Sequence, residues 1–248
     1  MSFWPVVKRV VKDSDIVVVV LDVRMPDLSK NRALDEMIYR LKKRKIMVFN
    51  KIDLVSDNYL KEIMNKHKSA FFVSSSGNKG ISKLRRGILI MAKILKIENP
   101  KVGVVGYPNV GKSSLINVLA KRAKAGVSSN AGYTKNIQWV RAGKLLVLDS
   151  PGVVPMEDNA IKLGVLGSKN PDKFRDIDKV AHEIIEMFFQ HNKKSLEDFY
   201  EVREYEDSYD FLIKVGEKRK FLLKGGIVDE RRTAMLIVRD WQKGKMKI

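Results

Sequence analysis

The sequence predicts an α/β fold: a three-layer unit on a mostly parallel sheet with one antiparallel hairpin, followed by a small α-helical C-terminal domain. Three observations carry this. Short β-branched or aromatic runs alternate with amphipathic stretches over residues 1–154, the pattern of strands buried on both faces between helices. Ile137–Val140 and Leu145–Leu148 flank Arg141-Ala142-Gly143-Lys144, a short Gly-containing connection of hairpin type. Beyond Pro155 the apolar residues recur at helical spacing. A length of 248 residues allows one or two domains, and this change of character divides them as 1–154 and 155–248.

The parallel strands are expected at Ile16–Leu21, Ile46–Phe49, Ala70–Val73 and Val102–Val105. Between them, Leu34, Met37, Ile38 and Leu41 share one helical stripe, and Ile81, Leu84, Ile88, Met91 and Leu95 another; both read as core. In the second domain Ile177, Val180, Ala181, Ile184 and Phe188 form one stripe, and Ala234, Ile237, Val238 and Trp241 a second with Asp229 as its N-cap. Asn159–Asn170 is expected as a loop, and the chain holds no internal repeat.

An apolar fraction of 44% and a charged fraction of 31% exclude collagen-like, low-complexity and wholly disordered chains. The absence of cysteine excludes a disulfide scaffold, a thiol nucleophile and a thiolate zinc site. The apolar runs are short and no cleavable signal pattern follows the N-terminus, so the expectation is a cytoplasmic protein without a membrane partner. The formal charge of +19 attracts polyanions. It is unevenly spread: residues 1–154 carry 29 basic and 11 acidic side chains, 155–210 carry 8 and 14, and 211–248 carry 11 and 4. Charge alone leaves nucleic acid and a Lys-rich wet surface equally open.

Gly106-Tyr107-Pro108-Asn109-Val110-Gly111-Lys112-Ser113 fits the phosphate-loop pattern and lies between the strand Val102–Val105 and the helical stretch from Ser114. Gly111 lets successive N–H groups turn inward, and the helix N-terminus adds partial positive charge. Lys112 then reaches the β and γ phosphates, and the Ser113 hydroxyl reaches Mg²⁺. Asp149-Ser150-Pro151-Gly152 follows the strand Leu145–Leu148 and has the form of a second phosphate-sensing loop, with Asp149 near Mg²⁺ and the Gly152 N–H directed at a γ-phosphate oxygen. Asn50-Lys51-Ile52-Asp53, after the strand Ile46–Phe49, reads as a base loop: a carboxylate at Asp53 accepts from guanine N1–H and its exocyclic amine, which favours GTP over ATP. The alternative is a cap for a helix starting near Ser56. Ser74-Ser75-Ser76 either supports guanine O6 or forms a polar turn, and Thr134 lies where a switch segment brings a hydroxyl to Mg²⁺.

Together these loops resemble the five guanine-nucleotide motifs of a translation-factor-class GTPase, in rotated order: base loop, Ser loop, phosphate loop, Thr134, then Asp149–Gly152. The order resembles that of circularly permuted GTPases of the YlqF/YawG type, and Leu21-Asp22-Val23-Arg24-Met25-Pro26 is similar to their Asp-Ala-Arg-x-Pro segment. The similarity runs from about residue 5 to 154, with an echo in Phe221–Gly226. It implies a P-loop GTPase sheet and Mg²⁺-dependent hydrolysis of GTP to GDP, coupled to assembly of the large ribosomal subunit through rRNA. The nucleotide residues it implies are Asn50, Lys51, Asp53, Ser74, Ser75, Ser76, Gly106, Asn109, Val110, Gly111, Lys112, Ser113, Ser114 and Gly152. Ser113, Thr134 and Asp149 are implied at the metal, and Lys112, Thr134 and Gly152 in catalysis. Asn109 matches the phosphate-loop Asn that coordinates K⁺ in related GTPases, or it only stabilises the loop.

Val153 stands where ordinary GTPases carry a water-orienting Gln, so slow intrinsic turnover, stimulated by ribosomal RNA or the subunit, is expected. The Pro-Gly-His-Met segment of one family branch is absent: the chain has Phe3-Trp4-Pro5-Val6-Val7 there and no histidine before His67. Because the C-terminal domain follows Gly152 directly, γ-phosphate contacts are expected to reposition it. Lys218-Arg219-Lys220, Lys224, Arg231, Arg232, Arg239, Lys243, Lys245 and Lys247, interleaved with Phe221 and Trp241, are the RNA-binding candidates, with Lys42-Lys43-Arg44-Lys45 as a second cluster. His67, His182 and His191 are too scattered for a metal site. A monomer is expected. The rival readings are a GTP-dependent RNA-binding scaffold with negligible hydrolysis alone, and a translation or RNA-modification accessory GTPase.

Overall fold

The computed structural model describes residues 4–121, 139–155 and 158–248. They divide into two compact units, one of residues 1–53 with 60–156 and one of residues 54–59 with 157–248.

The first unit is built on a six-stranded sheet of order β3-β2-β1-β4-β6-β5. The helix α1 (Trp4–Asp13) buries Val7, Val10 and Val11 and leads into β1 (Ile16–Asp22), all seven of whose residues are buried. The Lys43 ammonium donates to the carbonyls of Lys12 and Ser14 at 2.6 and 2.8 Å, satisfying acceptors at the end of α1. The helix α2 (Arg32–Arg40) is capped by the Asn31 side chain and buries Leu34 and Ile38; β2 (Arg44–Asn50) then pairs parallel with β1. After α3 (Asp57–Lys66), β3 (Phe71–Phe72) adds a short edge. The helix α4 (Ile81–Ile94) precedes β4 (Lys101–Val105), which returns to the other side of β1. After α5 (Lys112–Lys121), β6 (Leu145–Asp149) lies parallel to β4 and antiparallel to β5 (Trp139–Ala142). This is the mostly parallel sheet with one hairpin that the alternating runs predict.

Strand boundaries shift by one or two residues from the sequence reading: β2 begins at Arg44 rather than Ile46, so Arg44 and Lys45 of the N-terminal basic cluster are strand residues. β3 has two paired residues instead of four, because the chain leaves the edge at Val73 and folds back through the Ser74–Lys79 bridge. In the hairpin, Arg141 and Ala142 are paired rather than looped, since Ala142 faces Leu145 and the turn is only Gly143-Lys144. Gly143 at φ +65° supplies the left-handed backbone that so short a connection requires. Ile137 and Gln138 of that prediction lie outside the described residues.

The register explains where a ligand would sit. Asp22 is aligned with Asn50, Val19 with Val105, and Val104 with Asp149, so β1, β2, β4 and β6 deliver their C-terminal ends along one edge. Successive strands run outward from β1 in one direction and from β4 in the other. Such a switch in strand order leaves a crevice beyond the carboxyl ends, which is where open α/β sheets bind ligands.

In the second unit, α6 (Ala160–Val165) occupies part of the segment expected as a loop. The Asn159 side chain accepts from the Lys162 N–H at 2.8 Å, a cap that stabilises so short a helix. The helices α7 (Ile177–His191), α8 (Lys193–Tyr200), α9 (Ser208–Lys218) and α10 (Glu230–Gln242) follow. Both predicted stripes are buried, and Asp229 caps α10 through the Arg232 N–H. Trp241 is core, its indole N–H donating to the Val165 carbonyl at 2.8 Å. Residues 54–59 join this unit through bonds between Ile248 and both Leu54 and Ser56.

Candidate functional site

β4 ends at Val105 and α5 starts at Lys112, so Gly106–Gly111 is the strand-to-helix loop that the motif requires. Lys112 is buried, and its ammonium donates to the Tyr107 carbonyl within the loop at 2.7 Å. Burial lowers its pKa to about 8, against the opposing charge of Asp149. The Ser113 hydroxyl donates to Asp149 Oδ2 at 2.9 Å, joining the start of α5 to the end of β6. The other carboxylate oxygen, Oδ1, is buried without a hydrogen-bond partner among the described residues. Burial raises the Asp149 pKa, with the Ser113 hydrogen bond pulling the other way. A hydroxyl and an unsatisfied carboxylate oxygen side by side are the hard donors that Mg²⁺ takes, in the small number it needs from protein.

On the base side, Asn50 is fully buried and every polar atom of its side chain is used. The amide donates to the Val110 carbonyl at 2.9 Å and to Ser75 Oγ at 3.0 Å, while Oδ1 accepts from the Ser75 N–H at 3.0 Å. One side chain therefore fastens the base loop, the Ser loop and the phosphate loop together. Gly111 is constrained by the same contact: its φ is +95°, and a Cβ there would lie 2.2 Å from Asn50 Nδ2.

Asp53 sits in a 3-10 turn, Ile52–Leu54, and its Oδ2 accepts from the Ser76 hydroxyl at 2.9 Å. Its Oδ1 is buried and unpaired among the described residues, an acceptor suited to an N–H donor. It is not the cap of α3; Ser56 Oγ accepts from Tyr59 N–H there, at 3.4 Å. Ser74 is buried and builds the turn, its Oγ accepting from the Gly77 N–H at 2.8 Å and lying 3.1 Å from Ser76 Oγ. Lys51 has a positive φ of 69°, and its ammonium lies 2.8 Å from the Asp22 carboxylate. Position-by-position reading of the sequence misses that contact, because Asp22 and Lys51 are brought together only by strand register.

Gly152 follows β6, and a Cβ on it would lie 2.6 Å from Pro108 Cα, so the loop after β6 packs directly on Gly106–Gly111. Ser150 donates to the Val104 carbonyl at 2.7 Å. Val153 is 1% exposed, and its N–H donates to the Gly106 carbonyl at 3.3 Å, so this position faces the interior as well as lacking a polar side chain. Asn109 adopts φ +60°, and Ser113 and Ser114 are exposed. Thr134 lies outside the described residues.

The basic candidates separate into engaged and open positions. Arg231 donates to the Phe174 and Arg175 carbonyls, Arg239 pairs with Asp172, Lys245 with Asp240 and Lys218 with Glu201. Arg232 lies 4.1 Å from the centre of the Phe221 ring. Lys220, Lys224, Lys243 and Lys247 are exposed. In the N-terminal cluster, Lys43 supports α1 and Lys45 pairs with Asp35. Among the described residues no group of three or more His, Cys, Asp and Glu side chains is arranged to hold a metal, and no helix is long and apolar enough to cross a membrane.

The mostly parallel sheet and the strand–loop–helix of Gly106–Lys112 on β4, its fourth strand in chain order, define a P-loop GTPase fold of circularly permuted order. The family model for RsgA GTPase matches residues 4–157, and the chain belongs to that family. A model described as 50S ribosome-binding GTPase matches residues 101–218. An uncharacterized GTP-binding protein of Methanocaldococcus jannaschii is 37% identical over 247 residues, covering 97% of this chain and 65% of that protein. Ribosome biogenesis GTPase A of Bacillus cereus is 29% identical over 251 residues, covering 94% of this chain and 84% of its own length. The chain spans under half of Nuclear/nucleolar GTPase 2 of Arabidopsis thaliana, 43% of its length at 30% identity. In fold, the chain is similar to GNP-bound YlqF from T. maritima, with a TM-score of 0.64 at 23% identity over 98% of this chain and 96% of that one.

Proposed function

We propose that the chain is a Mg²⁺-dependent GTPase switch that binds rRNA and acts in the cytoplasm, as a monomer, in assembly of the large ribosomal subunit. The observation that carries the nucleotide reading is the convergence at Asn50: base, Ser and phosphate loops are held by one buried side chain, and, three residues on, Asp53 keeps one buried oxygen unpaired among the described residues. In this reading Asp53 accepts from the two N–H donors of guanine, and Ser74–Ser76 and Lys51 support the base. The N–H groups of Gly106–Ser114, including those of Asn109, Val110 and Gly111, surround the phosphates, with Lys112 leaving the Tyr107 carbonyl to meet them. Ser113, Asp149 and Thr134 would hold Mg²⁺, which when bound neutralises charge on the β and γ phosphates. Lys112, Thr134 and the Gly152 N–H would stabilise the charge that builds up as the γ-phosphoryl transfers. Asn109 is the candidate ligand for K⁺.

The names of the relatives and the exposed lysines Lys220, Lys224, Lys243 and Lys247 support the ribosomal part of the proposal. The residues past 154 would supply the RNA-binding domain and residues 1–154 the GTPase domain. Buried Val153 favours a second reading, an RNA-binding scaffold with negligible hydrolysis alone, because nothing at that position can orient water. Co-sedimentation with separated ribosomal subunits, mature and immature, tests the proposal at stated salt in GTP analogue, in GDP and without nucleotide. Salt-resistant binding to the large subunit that is strongest with the analogue is the expected result. Nucleotide-independent binding, or none, would contradict it.

A further inference from the structure

Asp22 ends β1 opposite Asn50, so the next residue of β2's chain, Lys51, begins its loop beside a buried carboxylate. Asp22 is 1% exposed and Arg24 2%. Arg24 already meets the carboxylate as a bidentate pair, Nε to Oδ1 at 3.1 Å and Nη2 to Oδ2 at 2.8 Å, with its own backbone N–H also donating to Oδ1 at 3.1 Å. The Ser29 hydroxyl fixes the strand end by accepting from the Asp22 N–H at 3.2 Å. Lys51 adds a second cation at 2.8 Å to an anion that Arg24 alone would neutralise. Burying that extra charge is unfavourable unless it is held tightly. Burial by itself would push Asp22 up, but the two cations hold its carboxyl well below the usual range, so it stays ionised. Lys51 is moreover a non-glycine residue at φ +69°, a conformation that persists only where the surroundings impose it.

We propose that Asp22 and Arg24 are positioning residues for guanine specificity: they anchor the Lys51 ammonium, and through it the backbone that sets Asn50 on the phosphate loop and aims Asp53 at the base. The chain from anchor to reader is short. Lys51 lies one residue after the Asn50 that grips Val110 and Ser75, and two before the Asp53 that accepts from Ser76. A tilt of this turn misaligns the Asp53 carboxylate, and so changes the preference between bases beyond any loosening that Asn50 passes to Val110, which acts on every diphosphate alike. The inference rests on the guanine-binding reading above.

The test is a pair of dissociation constants on the full chain in Mg²⁺, for GDP and for inosine diphosphate, which lacks the exocyclic amine that Asp53 would read. The wild-type chain is expected to prefer GDP, and Asp22→Asn to reduce that preference about tenfold, the loss from one misaligned charge-assisted hydrogen bond. Should Asp22→Asn fail to fold, Asp22→Leu combined with Arg24→Met removes the buried charge pair in favour of apolar packing. It frees Lys51 in the same way, with the same expected fall in preference. Loss of affinity for both ligands by one factor, at constant ratio in a folded variant, would overturn the proposal, since loosening the fold acts on both alike. A wild-type chain that binds neither ligand, or both equally, would instead overturn the guanine reading itself.

Discussion

The two sides of the site are held by different means. On the base side, polar side chains are committed to one another: Asn50 to Val110 and Ser75, Ser76 to Asp53, Lys51 to Asp22. On the phosphate side, close packing and a main-chain hydrogen bond do the holding, with Gly152 against Pro108 and the Val153 N–H donating to the Gly106 carbonyl, while the ionisable groups make few bonds. Lys112 rests on a loop carbonyl, and Asp149 keeps one oxygen unpaired among the described residues. A hydrogen-bonded lattice resists displacement and suits a part that must discriminate. Charged groups with spare capacity suit a part that must accept a highly charged ligand and let it change.

This contrast predicts that discrimination fails most steeply on the base side. Asp53→Asn should weaken GDP about a hundredfold and improve xanthosine diphosphate, because an amide N–H₂ pairs with the C2 carbonyl of xanthine where a carboxylate repels it. Titration with both diphosphates checks the reversal. Gly111→Ala tests the link between the two sides. Its Cβ would collide with Asn50 Nδ2 at a backbone angle unsuited to alanine, so it should cost about 2–4 kcal/mol of stability and loosen both base and phosphate binding. Denaturant unfolding and GDP titration read the two effects.

A third prediction concerns acid. Burial would raise Asp22, but Arg24 and Lys51 outweigh it, so the folded value lies below the ordinary one. The ionised carboxylate then stabilises the fold above the ordinary carboxylate value, and that contribution is lost as pH falls through the folded value. The stability gap between wild type and Asp22→Asn should therefore be widest near neutrality and narrow below about pH 4. Denaturant curves across pH measure the gap. The smallest effect on activity is expected from Val153→Gln, which restores the residue type that ordinary GTPases use. Because the position is buried, turnover should stay within about threefold, while stability falls by about 1–3 kcal/mol from burying an unpaired amide. Phosphate-release kinetics with thermal melting distinguish this from a genuine gain.

Much of the fold was legible because it is written in local patterns. The fully buried β1, the stripes of α7 and α10, and the Asp229 cap follow from residue type and spacing alone. The strand–loop–helix setting of Gly106–Ser113 was equally plain. What spacing left open was set by tertiary contacts. Asn159 supplies a cap that makes a helix of an expected loop, and Gly143 shortens a turn that composition alone cannot measure. In the candidate site, the sequence names residues but not the partners that the fold gives them. Nothing local in Asp22 announces that register sets it against Lys51, and nothing in Gly111 that Asn50 fills the space a side chain would need. Of the ten basic residues singled out near the C-terminus, Arg231, Arg239, Lys218 and Lys245 turned out to be engaged within the unit. Charge counts cannot tell a wet cation from a bonded one.

In the proposed function, loops met in permuted order assemble one guanine-reading site. Equilibrium titration of the chain with GDP and with ADP in Mg²⁺ tests it most directly. GDP should bind at least about a hundredfold more tightly, since adenine leaves the buried Asp53 oxygen unsatisfied; equal affinities, or a preference for ADP, would rule out a guanine-reading site.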